Sequence, residues 1–144
     1  MKRMVIAALV SVGVLSAQSV SVDASSCWDR AMTQGAMNAC ASQDFRSADR
    51  KLNRIYRELL KRYRKHPRFI RALKKAQRAW IAMRDAEIEM AYPGYLEHPE
   101  EYGSVLPMCI ANLKASLTEE RIKFLKQWLD PKWEEGDVCA FWKP

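Results

Sequence analysis

The chain has 144 residues, one domain's worth, and a formal net charge of +7. Its two histidines, His66 and His98, stand apart from its four cysteines and no CxxC occurs, so neither a metal centre nor a histidine-driven triad finds its ligands. No HExxH, glycine-rich phosphate loop or nucleophile elbow is present, and the expectation is a protein with no catalytic site and no cofactor.

Lys2 and Arg3 precede an uncharged apolar run from Met4 to Leu15, and a polar stretch of small residues follows through Ser26. This is the layout of a secretory signal peptide, and the run is too short to span a bilayer. Ala17 and Ala24 both offer cleavage positions, and Val22-Asp23-Ala24 is the better small-residue site; cleavage after Ala24 leaves residues 1–24 as the leader, 25–129 as a helical domain and 130–144 as a C-terminal tail. Cys27 lies too far behind the apolar run for lipid attachment, so release into the periplasm or medium is expected. In that oxidising setting the four cysteines favour bridges over free thiols. Three pairings are possible; the favoured one joins Cys27 to Cys40 as a short local loop and Cys109 to Cys139, tying the tail to the last helix.

Thr33 reads as an N-cap, and no proline follows until Pro67. Ala41, Phe45, Ala48, Leu52, Ile55, Leu59 and Tyr63 recur at spacings of three and four, which predicts one long amphipathic helix from Gln34 to about Lys65. His66-Pro67 breaks it. Pro67 then opens a second helix to about Ala91, with Phe69, Leu73, Ala76, Trp80, Met83 and Ile88 inward, and the short break requires an antiparallel hairpin. Tyr92 to Ser104 reads as a long loop with two prolines and two glycines. Leu106, Ile110, Leu113, Leu117, Phe124 or Leu125, and Trp128 mark a third helix, with Thr118 as a potential bend and Asp130-Pro131 as its stop. The predicted fold is all-α: a helical hairpin with a third helix across it, and a disulfide-tethered tail.

Charge is unevenly distributed. Residues 46–85 hold fifteen Lys or Arg against Asp49, Glu58 and Asp85, whereas residues 86–144 hold six basic against eleven acidic residues. The basic charges are spread round both hairpin helices and the protein is exported, so a nucleic acid is not the expected partner. An anionic lipid or polymer of the envelope, met by the stretch from Arg46 to Arg78, is one reading; Lys and Arg stems that merely cover helix flanks are the other.

Polar residues also fall on or beside the apolar stripes. Asp49, Asn53 and Tyr56 follow one line of the first helix; Gln77, Trp80 and Arg84 follow one line of the second; Thr118 and Arg121 belong to the third. If the hairpin closes, these lines meet and form a hydrogen-bonded network that sets helix register. A hydrolase built around Arg84 and Glu87 is the weaker alternative.

At these residues the chain resembles the LprI-like lysozyme-inhibitor family of exported bacterial domains. The resemblance runs from Cys27 to Leu125: Cys27, Thr33-Gln34, Met37-Asn38 and Cys40, then Asp49, Leu52-Asn53 and Tyr56. Its most specific stretch is Ala76-Gln77-Arg78-Ala79-Trp80-Ile81 with Arg84-Asp85-Ala86-Glu87; Gly103-Ser104, Pro107-Met108, Leu117-Thr118, Arg121 and Leu125 complete it. The family pattern has further cysteines where this chain has Ile88 and Leu113, which makes Cys109 and Cys139 look like a substitute bridge.

The resemblance implies a binding-only protein that inhibits lysozyme or another peptidoglycan-cleaving enzyme by occlusion, with an envelope or host protein as partner. Many such lysozymes are cationic, and this chain is cationic too. The segment that offsets the repulsion is acidic: Glu97, Glu100 and Glu101 interleaved with Tyr92, Tyr95 and Tyr102, with Glu134, Glu135 and Asp137 of the tail in support. A solvated loop whose tyrosines tuck onto the helices is the competing expectation.

Overall fold

The structure, a computed structural model, describes residues 27–130. The expected leader at 1–24 and the tail beyond Asp130, with Cys139, Glu134, Glu135 and Asp137, lie outside the described residues, and so does the expected Cys109–Cys139 bridge.

Helix α1 (Gln34–Arg62) begins where Thr33, in extended conformation, accepts a hydrogen bond on Oγ1 from the amide of Ala36 at 3.1 Å. That cap relieves one of the amides a first helical turn leaves without a partner. The helix runs 29 residues, about 43 Å at the usual rise, and stops at Tyr63, short of Lys65. Pro67 occupies the first position of helix α2 (Pro67–Ala91), where its missing N–H costs nothing and its fixed φ suits the helix. The expected loop is more regular than its composition suggests. It turns at Gly94 (φ 71°) and closes in a short 3-10 segment, Pro99–Val105, with Gly103 at φ 69°. Both glycines use the left-handed region that a side chain disfavours. Helix α3 (Leu106–Lys126) continues unbroken through Thr118, whose hydroxyl donates to the carbonyl of Lys114 at 2.6 Å.

The contacts fix the helix directions. Asn38 donates to the carbonyl of Ser104, Lys51 pairs with Glu119 at 3.0 Å, and the Tyr63 hydroxyl donates to the carbonyl of Trp128 at 2.8 Å, so α1 and α3 run parallel. Helix α2 is antiparallel to both: Phe69 at its start meets Trp128 just beyond α3 (5.2 Å between rings), and Tyr92 just after its end meets Tyr102 just before α3 (5.6 Å). The three-helix, all-α architecture agrees with the sequence reading, and no strand occurs among the described residues. The closest helix pair, however, is α1 with α3 and not the sequential hairpin. Small buried side chains explain this. Ala41 and Ala48 of α1 and Ala111 and Thr118 of α3 let two backbones approach, whereas α2 is held off by large residues such as Leu73 and Trp80.

The core gathers Leu52, Ile55, Leu59 and Tyr63 from α1, Leu73 and Trp80 from α2, and Ile122 and Leu125 from α3. An aromatic clasp, Tyr63 on Phe69 at 4.2 Å and Phe69 on Trp128, closes the hairpin end. Helix α2 departs from the expected register: Ala76 is exposed and Met83 is 47% exposed, while Gln77 and Arg84 are half-buried between the core residues Leu73, Trp80 and Ile88. In α3, Phe124 faces outward at 43% exposure and Ala111, Thr118, Ile122 and Leu125 fill the seam. The apolar stripe of α3 is thus carried by smaller residues than those the periodicity singled out.

Cys27 and Cys40 form a disulfide with 5.6 Å between Cα atoms. It ties the short 3-10 turn Trp28–Arg30 to the early part of α1, where the Trp28 indole also donates to Asp44 at 2.8 Å. Cys109, half-buried at the start of α3, has no disulfide partner among the described residues.

Candidate functional site

The segment after α2 is pinned at both flanks. The Gly94 amide donates to the Glu89 carboxylate at 2.9 Å, the His98 amide donates to the Gly94 carbonyl at 2.8 Å, and the Tyr102 hydroxyl donates to the Pro93 carbonyl at 2.8 Å. The Tyr92 and Tyr102 rings meet edge to face. These two tyrosines therefore hold the loop's shape. Desolvation raises the Tyr92 phenol above its ordinary range, and the neighbouring Cys109 adds to the shift. Tyr95 is half-buried and faces a groove. Glu97, Glu100 and Glu101 are exposed; Glu100 lies 3.3 Å from His98 Nδ1, and Glu97 and Glu101 have no ion-pair partner among the described residues.

That groove, of about 460 Å³, runs between α1, α3 and the loop. Its apolar wall is made by Phe45, Tyr95, Leu96, Pro99, Leu106 and Ile110. Asn38 and Ser42 contribute polar edges, and Lys114 also lines it with Nζ 5.8 Å from the centre of the Phe45 ring. Sequence reasoning missed this feature. Phe45 looked like part of a core stripe, and nothing local couples it to Leu96 or Lys114, which meet only through the α1–α3 pairing.

The polar residues singled out on the stripes form two sets. On α1, Asn53 donates to Asp49 at 2.9 Å, and Tyr56 is half-buried against the core. Across α2 and α3, Arg121 donates through Nε to Gln77 at 3.1 Å, and its guanidinium lies 5.9 Å from the Trp80 ring and 5.4 Å from Phe124. Arg84 lies 5.3 Å from Trp80 and is bonded to its neighbour Asp85 at 2.6 Å, and no ion pair joins it to Glu87 among the described residues. No hydrogen bond among the described residues links the Asp49–Asn53 pair to Gln77 or Arg121. Burial holds the Arg121 guanidinium below its ordinary pKa, and its Nη2 is buried without a partner among the described residues.

The basic stretch remains at the surface: from Arg46 to Arg78 every Lys and Arg is exposed except the half-buried Lys51, which pairs with Glu119. No group of His, Cys, Asp and Glu placed to hold a metal ion occurs among the described residues. No described helix is long and apolar enough to cross a membrane.

The described residues form a small helical domain in which a pinned loop borders an apolar groove. Residues 27–125 match the family described as lysozyme inhibitor LprI, and the chain belongs to that family. It is also 35% identical over 112 residues to an uncharacterised protein of Rhizobium meliloti (strain 1021), across 70% of this chain and 77% of the relative. No solved structure matches it significantly.

Proposed function

We propose that this protein is an exported inhibitor that occludes lysozyme or another peptidoglycan-cleaving enzyme with the face built by the segment from Tyr92 to Ser104. The observation that carries the reading is the acidic loop itself. Glu97 and Glu101 have no ion pair among the described residues, and the backbone beneath them is pre-shaped by the Glu89–Gly94 and Tyr102–Pro93 bonds. A rigid acidic patch loses little conformational freedom on binding a cationic surface. It also supplies the local attraction that a protein of positive net charge otherwise lacks towards a basic enzyme. The family's description as lysozyme inhibitors supports the same partner class.

The test is inhibition of a cationic lysozyme by the oxidised mature protein, compared with a variant in which Glu97, Glu100 and Glu101 are changed to Lys. Charge reversal is expected to abolish inhibition while leaving helicity intact. Lysozyme activity unchanged by a large molar excess of the wild type would remove the reading.

A second reading rests on the exposed cations between Arg46 and Arg78. In this reading the outer faces of α1 and α2 adhere to anionic lipids or polymers of the envelope. It predicts salt-sensitive association with anionic vesicles, and indifference to vesicle charge would end it.

A further inference from the structure

We propose that the groove beside the acidic loop is the anchor of the inhibitory interface. It receives an apolar side chain from a protruding segment of the cationic enzyme, while Glu97, Glu100 and Glu101 hold the Arg or Lys residues that flank that side chain. This rests on the occlusion reading and adds which surface supplies binding energy and what chemistry it selects.

Three observations carry it. The walls given by Phe45, Leu96 and Ile110 are apolar, and Leu96, 70% exposed, leaves its side chain open to a partner at the groove's rim. The loop is shared: Tyr95, Leu96 and Pro99 line the groove, and Glu97, Glu100 and Glu101 lie beside them in sequence, all exposed. A segment seated on the apolar wall therefore has carboxylates at its flank, the arrangement of an apolar interface centre within a charged rim. Finally, Lys114 sits in the lining with its ammonium over Phe45. It repels a cation from the interior, so the partner's positive charges stay with the loop carboxylates, and the apolar wall selects an uncharged side chain.

The experiment measures lysozyme affinity by titration calorimetry for the wild type and four variants. Ser42→Trp fills the groove from α1, Leu96→Asp places a charge on its rim, the triple Glu→Lys change reverses the loop, and Met83→Asp on α2 serves as a distant control. Circular dichroism and thermal melting confirm that each is folded; Leu96 is exposed, so Leu96→Asp decides the matter if Ser42→Trp does not fold. Affinity is expected to fall about tenfold or more in Ser42→Trp and Leu96→Asp, as for loss of an interface anchor, and to be unchanged in Met83→Asp. If both groove variants bind within about twofold of wild type while the triple Glu→Lys variant is weakened, the groove proposal fails and the occlusion reading stands. If the wild type binds no lysozyme, both fall. Wild-type dimers in ultracentrifugation that Ser42→Trp dissociates, with lysozyme binding unaffected, would assign the groove to a second copy of the chain and overturn the proposal.

Discussion

Arg121 of α3 donates through Nε to the side-chain carbonyl of Gln77 on α2 at 3.1 Å, and the same guanidinium lies between Trp80 and Phe124. This pair ties α3 to the helix that stands farthest from α1. It also holds a cation in a site where burial lowers its pKa.

The consequence for stability is asymmetric. Gln77→Ala leaves a half-buried guanidinium short of an acceptor and is expected to cost about 1–3 kcal/mol. Arg121→Met removes the charge together with the need for that acceptor, so Gln77→Ala made in the Arg121→Met background costs less than in the wild type. Urea titrations of the two single variants and the double variant read the coupling, and strict additivity would remove the proposed tie.

Core register makes the second prediction. Leu59 and Ile122 are almost fully buried, and Leu59→Ala or Ile122→Ala is expected to cost about 2–5 kcal/mol. Met83→Gln, at an exposed position of α2, should stay within about 0.5 kcal/mol of the wild type. Equal losses at Met83 and Leu59 in denaturant titrations would contradict the register of α2 described above.

Removing the Cys27–Cys40 bridge, as Cys27→Ser with Cys40→Ala, is expected to cost about 2–4 kcal/mol by freeing the unfolded chain. The same loss should appear when the wild type is melted in reductant, and the double variant should no longer respond to reductant through this bridge.

The phenol of Tyr92 gives a pH prediction. Its folded-state pKa lies above the ordinary value, through desolvation first and Cys109 second, so the folded protein holds this proton more tightly than the unfolded chain does. Its contribution to stability is complete below the unfolded pKa and is lost as pH rises through the folded one. Alkaline melts of the wild type should therefore fall more steeply than those of Tyr92→Phe, and Cys109→Ser should lower the Tyr92 pKa in an absorbance titration without restoring it fully.

Much of the fold is written locally. The Thr33 cap, the break at His66-Pro67 and the stripe of Leu52, Ile55, Leu59 and Tyr63 are governed by neighbours within a turn or two, and they appear at their expected places. The α2 stripe misled at Ala76 and Met83 because an apolar side chain on a helix flank is cheap to expose. Gln77 and Arg84 could take the inner line because each finds a bonding partner there or beside it.

Of the candidate site, the acidic residues and the loop's two glycines were legible from composition, whereas the left-handed backbone at Gly94 and Gly103 emerged only in the structure. The division of labour among the tyrosines was not legible either: Tyr92 and Tyr102 brace the loop, while Tyr95 faces the groove. The groove itself was invisible, because Phe45, Leu96 and Lys114 come from three separate stretches.

The sequence by itself determined the three helices and the Thr33 cap, and favoured the Cys27–Cys40 bridge among three pairings, since each depends on short-range geometry or on burial along one stripe. Only the tertiary structure decided that α1 pairs most closely with the distant α3, because close approach depends on small residues facing each other across two helices. The surface offered to a partner follows from that pairing.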